Sequence, residues 1–163
     1  MSVKQPTLAL AVQFIALQHK VLLPRPLLRK WVKTALMQAS EVTLRFVDEE
    51  EGRALNHSYR RKNYATNVLT FSYGQATSSE GDDATPNDPH DILFADIVLC
   101  SPVVEQEAQA QNKTLLHHYA HLIIHGVLHA QGYDHVRAKD AKIMEALETA
   151  LLTQLGYPDP YPV

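Results

Sequence analysis

The segment Ile92–Cys100, ILFADIVLC, constrains the fold more than any other stretch, because Asp96 alone interrupts an apolar run of strand length. Such a run reads as a strand buried at the centre of a sheet. A central strand needs neighbours, and three segments can supply them. Leu8–Phe14 is short and aliphatic, Val42–Val47 alternates apolar with polar positions, and Asn67–Tyr73 (NVLTFSY) reads as a third strand. Asp96, alone in its run, is expected to be paired or to cap rather than to catalyse.

Helical patterns fill the intervals. Pro24 and Pro26 open a segment in which Leu27, Leu28, Trp31, Val32, Ala35, Leu36 and Ala39 are spaced as one helical face. Its other face carries Arg25, Arg29, Lys30 and Lys33, which read more simply as a solvated face than as an RNA-contacting stripe. The carboxylates of Asp48 to Glu51 complement a helix N-terminus and start a second helix, running to about Tyr59. Gln75–Pro89 is acidic and rich in Thr, Ser, Gly and Pro, the composition of a loop. From Pro102 onward three helices follow, over about Val103–Gln111, Thr114–Gln131 and Ala138–Leu155, with Gly132 and Gly156 as stops. This order predicts one α+β domain over residues 1–163. Its core would be a mixed, about four-stranded sheet layered with about five helices.

At 163 residues the chain is long enough to bury a substantial core. Its one cysteine, Cys100, excludes an internal disulfide, a multi-cysteine zinc site and an iron–sulfur cluster. With no secretory signal pattern, that points to a cytoplasmic protein. The apolar run Leu8–Leu17 is too short to span a bilayer, so no membrane association is expected. The net charge of −3 hides an asymmetry. Residues 1–62 hold eleven Lys/Arg against five Asp/Glu, and residues 63–163 hold four against thirteen. A basic first part suits a polyanionic partner, although only weakly when taken alone.

Chemistry concentrates in HGVLHAQGYDH, residues 125–135. On a helix, His125 and His129 project from one face a turn apart, as two ligands of one ion require. Gly132 can adopt the left-handed conformation that ends a helix and turns the chain. His135 can then swing back to complete a third position. Three protein ligands with one open position make a catalytic zinc site rather than a structural one. Three nitrogen donors favour Zn²⁺, with nickel, cobalt and copper compatible by ligand type. His121 and His117 continue the same face backwards; His121 could support or line the site and His117 is too far along the axis to share the ion, with packing or solvent exposure the simpler expectation for both. The spacing H-x3-H-x5-H equals that of metzincin proteases, in which a Glu after the first His is the general base. Here that position is Gly126, which disfavours peptide hydrolysis by that route.

A second patch lies upstream, in LNHSYRRKNYATNVLTFS from Leu55 to Ser72. Arg60, Arg61 and Lys62 fall between a helix and a strand, where side chains reach a ligand, and Arg suits forked contacts with phosphate. Taken with ADIVLCSP and the closing MEALETALLTQLGYPDPY, these motifs resemble the bacterial YbeY family of rRNA-maturing endoribonucleases. The likeness covers about residues 45–161. HGVLHAQGYDH matches the family's metal signature in full, while Asn63, Ala65, Ser72 and Ala95 depart from its usual Asp, Pro, Pro and Gly.

The resemblance implies a zinc-dependent, single-strand-specific endoribonuclease that matures the 3′ end of small-subunit (16S) ribosomal RNA and takes part in ribosome quality control. It implies catalytic roles for Arg60 and His125, and metal ligation by His125, His129 and His135. It also implies small-subunit ribosomal proteins and an assembly GTPase as partners. Two other readings stay open on the residues: a metal hydrolase of another substrate, and a ribosome-assembly factor with structural zinc.

Overall fold

The structure, a computed structural model, describes residues 6–76, 92–133 and 137–161. Strand β1 (Leu8–Phe14) leads through a short 3-10 turn at Lys20–Leu22 to α1 (Arg25–Ala35), β2 (Ser40–Val47) and α2 (Glu49–Arg60). Then come β3 (Val68–Ala76), β4 (Ile92–Cys100), α3 (Ser101–Ala110), α4 (Leu115–Ala130) and α5 (Ala138–Gln154). The sheet order is β1-β2-β4-β3, with β1, β2 and β4 parallel and β3 antiparallel to β4. This is the expected α+β architecture of a mixed four-stranded sheet with five helices. Most of the Gln75–Pro89 loop falls outside the described residues; its first two belong to β3.

Burial follows from the strand register. Val42, Leu44 and Phe46 of β2 and Ala95, Ile97 and Leu99 of β4 point to one face, where α1 and α4 cover them. Leu44, Phe46, Ile97, Leu99, Ile123 and Leu128 are completely buried there. Each such side chain contributes roughly 1.5–3 kcal/mol relative to exposure. Helix α4 is apolar nearly all round because the sheet, α1, α3 and α5 all pack on it. Glycine at 126 permits its close approach to the sheet: a Cβ there would stand 3.0 Å from Ile97 Cγ2 and 3.1 Å from Thr70 Oγ1.

Among the described residues, the opposite face of the sheet is covered at one end only. There α2 sets Leu55 over a small cluster of Val47, Leu69, Val98 and Cys100. The rest of that face presents exposed Ala9, Ala11 and Gln13 of β1 and half-buried Thr43, Arg45 and Asp96. Asp96 is paired, accepting a hydrogen bond from Tyr73 Oη at 2.8 Å.

One boundary differs from the sequence expectation. Helix α1 ends at Ala35 rather than Ala39, with Leu36 already extended at ψ 135°. The cause is tertiary. Gln131, at the end of α4, donates to the Ala35 carbonyl at 2.8 Å and accepts from the Met37 N–H at 2.7 Å. These bonds satisfy α1's last turn and redirect the chain into β2. Among the described residues, no helix is long and apolar enough to cross a membrane.

Candidate active site

Helix α2 begins with Asp48 capping the Glu51 N–H at 2.8 Å and three carboxylates in its first turn. It ends at Arg61, which takes the left-handed conformation (φ 56°) and donates its N–H to the His57 carbonyl at 3.0 Å. Arg60 is thereby the last helical residue, exposed where the chain reverses. The loop beyond is clamped. Asn56 Nδ2 donates to the Tyr64 carbonyl at 2.7 Å, Arg53 Nε to Asn63 Oδ1 at 3.0 Å, and Asn67 Nδ2 to Glu107 Oε1 at 3.0 Å. Asn63, one of the departures from the family pattern, thus serves as an acceptor that an amide supplies as well as a carboxylate. Two other departures, Ser72 and Ala95, are cross-strand partners, and Ala95 packs against Ala130 of α4.

Across the cleft stands α4. Its C-terminus closes as a Schellman motif: Gly132 at φ 106° donates to the His129 carbonyl at 3.0 Å, and Tyr133 N–H to the Leu128 carbonyl at 3.2 Å. That turn returns the Tyr133 carbonyl to His129, whose Nδ1 donates to it at 3.0 Å. His125 Nδ1 donates to Glu148 Oε1 of α5 at 2.6 Å. The two imidazoles lie nearly parallel, centroids 6.4 Å apart at 12°. Fixing Nδ1 of each ring by a carboxylate or a carbonyl makes Nε2 the nitrogen that could meet a metal, the support that metal-binding histidines ordinarily have. The donors present therefore fit Zn²⁺ or a similar borderline ion. His135 lies outside the described residues, and among those described no group of three or more metal-ligating side chains comes together.

Sequence reading missed Glu148. Its side chain is 1% exposed and accepts from His125, from His121 Nε2 at 2.8 Å and from Tyr161 Oη. Burial by itself would raise the carboxyl pKa; these three hydrogen bonds outweigh it and hold the group at about 2. Burial, and then the Glu148 contact, push the Tyr161 phenol up. His121 is consequently packed against the support of His125 rather than exposed. His117 stacks on Tyr157 at 5.6 Å, and His118 bonds Glu107 at 2.9 Å.

Arg60, His125 and His129 line one cleft of about 590 Å³, with Thr66 to Phe71 of β3 and its approach between them. Its two walls come from segments more than sixty residues apart in sequence. Where metzincins carry a glutamate, Gly126 abuts Ile97 and Thr70, so a carboxylate there would collide with the sheet.

Fold and cleft together define a class: a single-domain α+β protein in which a forked cation and supported imidazoles converge at the edge strand of a sheet. Sequence comparison is more specific. The profile of the endoribonuclease YbeY family matches residues 16–156, and the chain belongs to that family. It is 53% identical over 159 residues to the endoribonuclease YbeY of Herminiimonas arsenicoxydans, covering 97% of both chains. Against that of Nitrosomonas europaea it is 54% identical over 155 residues, covering 94% of this chain and 85% of the relative. The solution structure of TM1509 from Thermotoga maritima shares the fold at a TM-score of 0.51 and 22% identity, covering 94% of this chain and 99% of that one.

Proposed function

We propose that the chain is a zinc-dependent, single-strand-specific endoribonuclease that matures the 3′ end of small-subunit ribosomal RNA. The observation that carries the reading is Arg60 facing His125 and His129 across one cleft. Arg60 binds and orients the scissile phosphate through its fork and offsets charge that develops on the phosphoryl oxygens. His125 and His129, with His135, hold the ion, and Glu148 and the Tyr133 carbonyl fix the orientation of the first two rings. Bound zinc supplies Lewis acidity and a source of hydroxide near neutral pH. The attacking group is water or the neighbouring 2′-hydroxyl; a 3′-hydroxyl or a cyclic phosphate on the product distinguishes them. The same reading places the protein in the cytoplasm and in ribosome quality control, with small-subunit proteins and an assembly GTPase as partners.

The test is Arg60→Glu, assayed on small-subunit precursor RNA with and without chelator. Cleavage is expected to disappear while zinc content stays at the parent level. Loss of zinc from the variant would show that Arg60 supports the fold of the site rather than the substrate. Cleavage that survives chelation would remove zinc from the mechanism. A peptide substrate is the competing reading, favoured by one observation: the cleft runs along edge strand β3, where an extended peptide could add a strand. Cleavage of a peptide library but not of RNA would establish it.

A further inference from the structure

The open face of the sheet holds a second concavity, of about 310 Å³. Thr43 and Asp96, adjacent in the β2/β4 register, form its floor, and Phe71 lies opposite Asp96 on β3. Tyr59, Phe71 and Tyr73 stand along one side. Tyr59 and Tyr73 leave 66% and 65% of their surfaces exposed, although each is large enough to anchor a core. Tyr59 meets Phe71 edge to face, with centroids 4.7 Å apart. Tyr73 is pinned by its hydrogen bond to Asp96. Packing therefore orients these rings without burying them.

Two observations identify what would cover them. First, Tyr59 and Phe71 also line the Arg60–His125 cleft, so the two concavities are continuous. Second, the groove's one cation, Arg45, is already paired with Glu51 and Gln13, while Asp96 accepts from the neutral Tyr73 phenol and keeps its negative charge. Such a groove offers phosphate no unpaired cation, and its remaining negative charge turns the backbone away while its rings and polar groups match the faces and edges of bases. Phe71 and Tyr73 stand two residues apart on β3, where the register shifts between Ser72 and Gln75, and both line the groove; two residues of regular strand rise about 7 Å, on the scale of successive bases in an extended strand. Aromatic side chains on a four-stranded sheet stack two or three bases of single-stranded RNA in other folds.

We propose that this face is a base-stacking track, in which Tyr59, Phe71 and Tyr73 hold unpaired bases of an RNA whose scissile phosphate lies at Arg60. The proposal rests on the endoribonuclease reading above. Duplex RNA has its bases stacked on each other and cannot use the track, so the track itself selects for single strands.

The experiment measures fluorescence anisotropy of labelled single-stranded RNAs of about three and about nine nucleotides, at low temperature, with the zinc-loaded protein. Tyr73→Ala is expected to weaken the longer RNA by about tenfold and the shorter by less than about twofold. Tyr73→Phe, which keeps the ring and loses the bond to Asp96, is expected to stay within about twofold of the parent. Thr43→Glu, placing a charge on the floor, should imitate Tyr73→Ala without touching a ring. Equal effects of Tyr73→Ala on both lengths, or equal loss in Tyr73→Phe, would overturn the track while leaving the cleft reading intact. Failure of the parent to bind either RNA would overturn both. A concentration-dependent dimer lost in Tyr73→Ala, with RNA binding unchanged, would assign the face to a second copy of the chain and refute the proposal.

Discussion

Glu148→Gln probes the support of His125 with little change in shape. The carboxylate accepts at Oε1 from His125 and at Oε2 from His121 and Tyr161. An amide accepts on one side only, so it cannot accept from His125 and from the His121–Tyr161 pair together. If its NH2 faces His125, the imidazole keeps its present tautomer without a partner, or moves its proton to Nε2 and surrenders the lone pair needed by a metal. A hydrogen bond to a charged acceptor is worth about 1.5–3 kcal/mol, which corresponds to roughly 10- to 150-fold in an equilibrium constant. Loss of such outer support ordinarily lowers metal affinity by about 10- to 100-fold, the same range. Zinc affinity is therefore expected to fall by one to two orders of magnitude, measured by competition with a chromogenic chelator. The chelated variant should also lose about 1–3 kcal/mol of stability in urea, so stability alone discriminates nothing. Glu107→Gln is the control, since it disturbs a similar pair with His118 at 2.9 Å and reaches the cleft through Asn67 rather than through the His125 or His129 ring. It should lower stability and leave zinc affinity unchanged. Parent-like zinc binding by Glu148→Gln, or an equal loss in Glu107→Gln, would refute the reasoning.

Two further predictions concern the fold. His19, His117 and His118 all have pKa values lowered, burial being the largest cause in each, so the folded chain favours their neutral forms. Their contribution is complete above the unfolded value of about 6.5 and is lost as pH falls below it. The unfolding free energy of chelated protein, measured in urea, should decline from about pH 7.5 to about pH 5.5, by at most about 1.4 kcal/mol per pH unit for each histidine; a flat or rising value would contradict this. Gly126→Glu, which restores the metzincin pattern, should cost about 3 kcal/mol or more, because the side chain enters the space of Ile97 and Thr70 and buries a charge. A variant as stable as the parent and able to cleave peptides would refute that packing argument.

The strands were legible because each has a local signature, and Ile92–Cys100 is recovered residue for residue. Strand order was not, because ILFADIVLC is equally apolar whichever neighbours it pairs with. The end of α1 is not legible for a similar reason: the Gln131 amide that stops it lies far away in sequence. In the site, His125, His129 and Gly132 were legible because one helix and its C-terminal turn fix their relation. That Arg60 shares their cleft follows from the family resemblance alone, since α2 and α4 lie far apart in sequence and no local pattern joins them.

Glu148 marks the limit of local reasoning and also a way past it. It sits in EALETALL, where a glutamate looks like one more charge on a solvated helix. Yet Met144, Glu148 and Leu152 recur every four residues, and these three form the buried stripe of α5. A carboxylate in the middle of an apolar stripe must be paired, because burying it alone costs more than a helix of this length can offset. Its partners must then be donors, and α4 carries a ladder of histidines at the same four-residue spacing: His117, His121, His125 and His129. Two stripes of equal period, one rich in imidazoles and one broken by a carboxylate, are complementary only when packed together. Helices α4 and α5 do pack in this way, with His121 and His125 both bonded to the one glutamate. An interruption in an apolar stripe is thus as informative as the stripe, since it names the chemistry of the surface that must lie opposite.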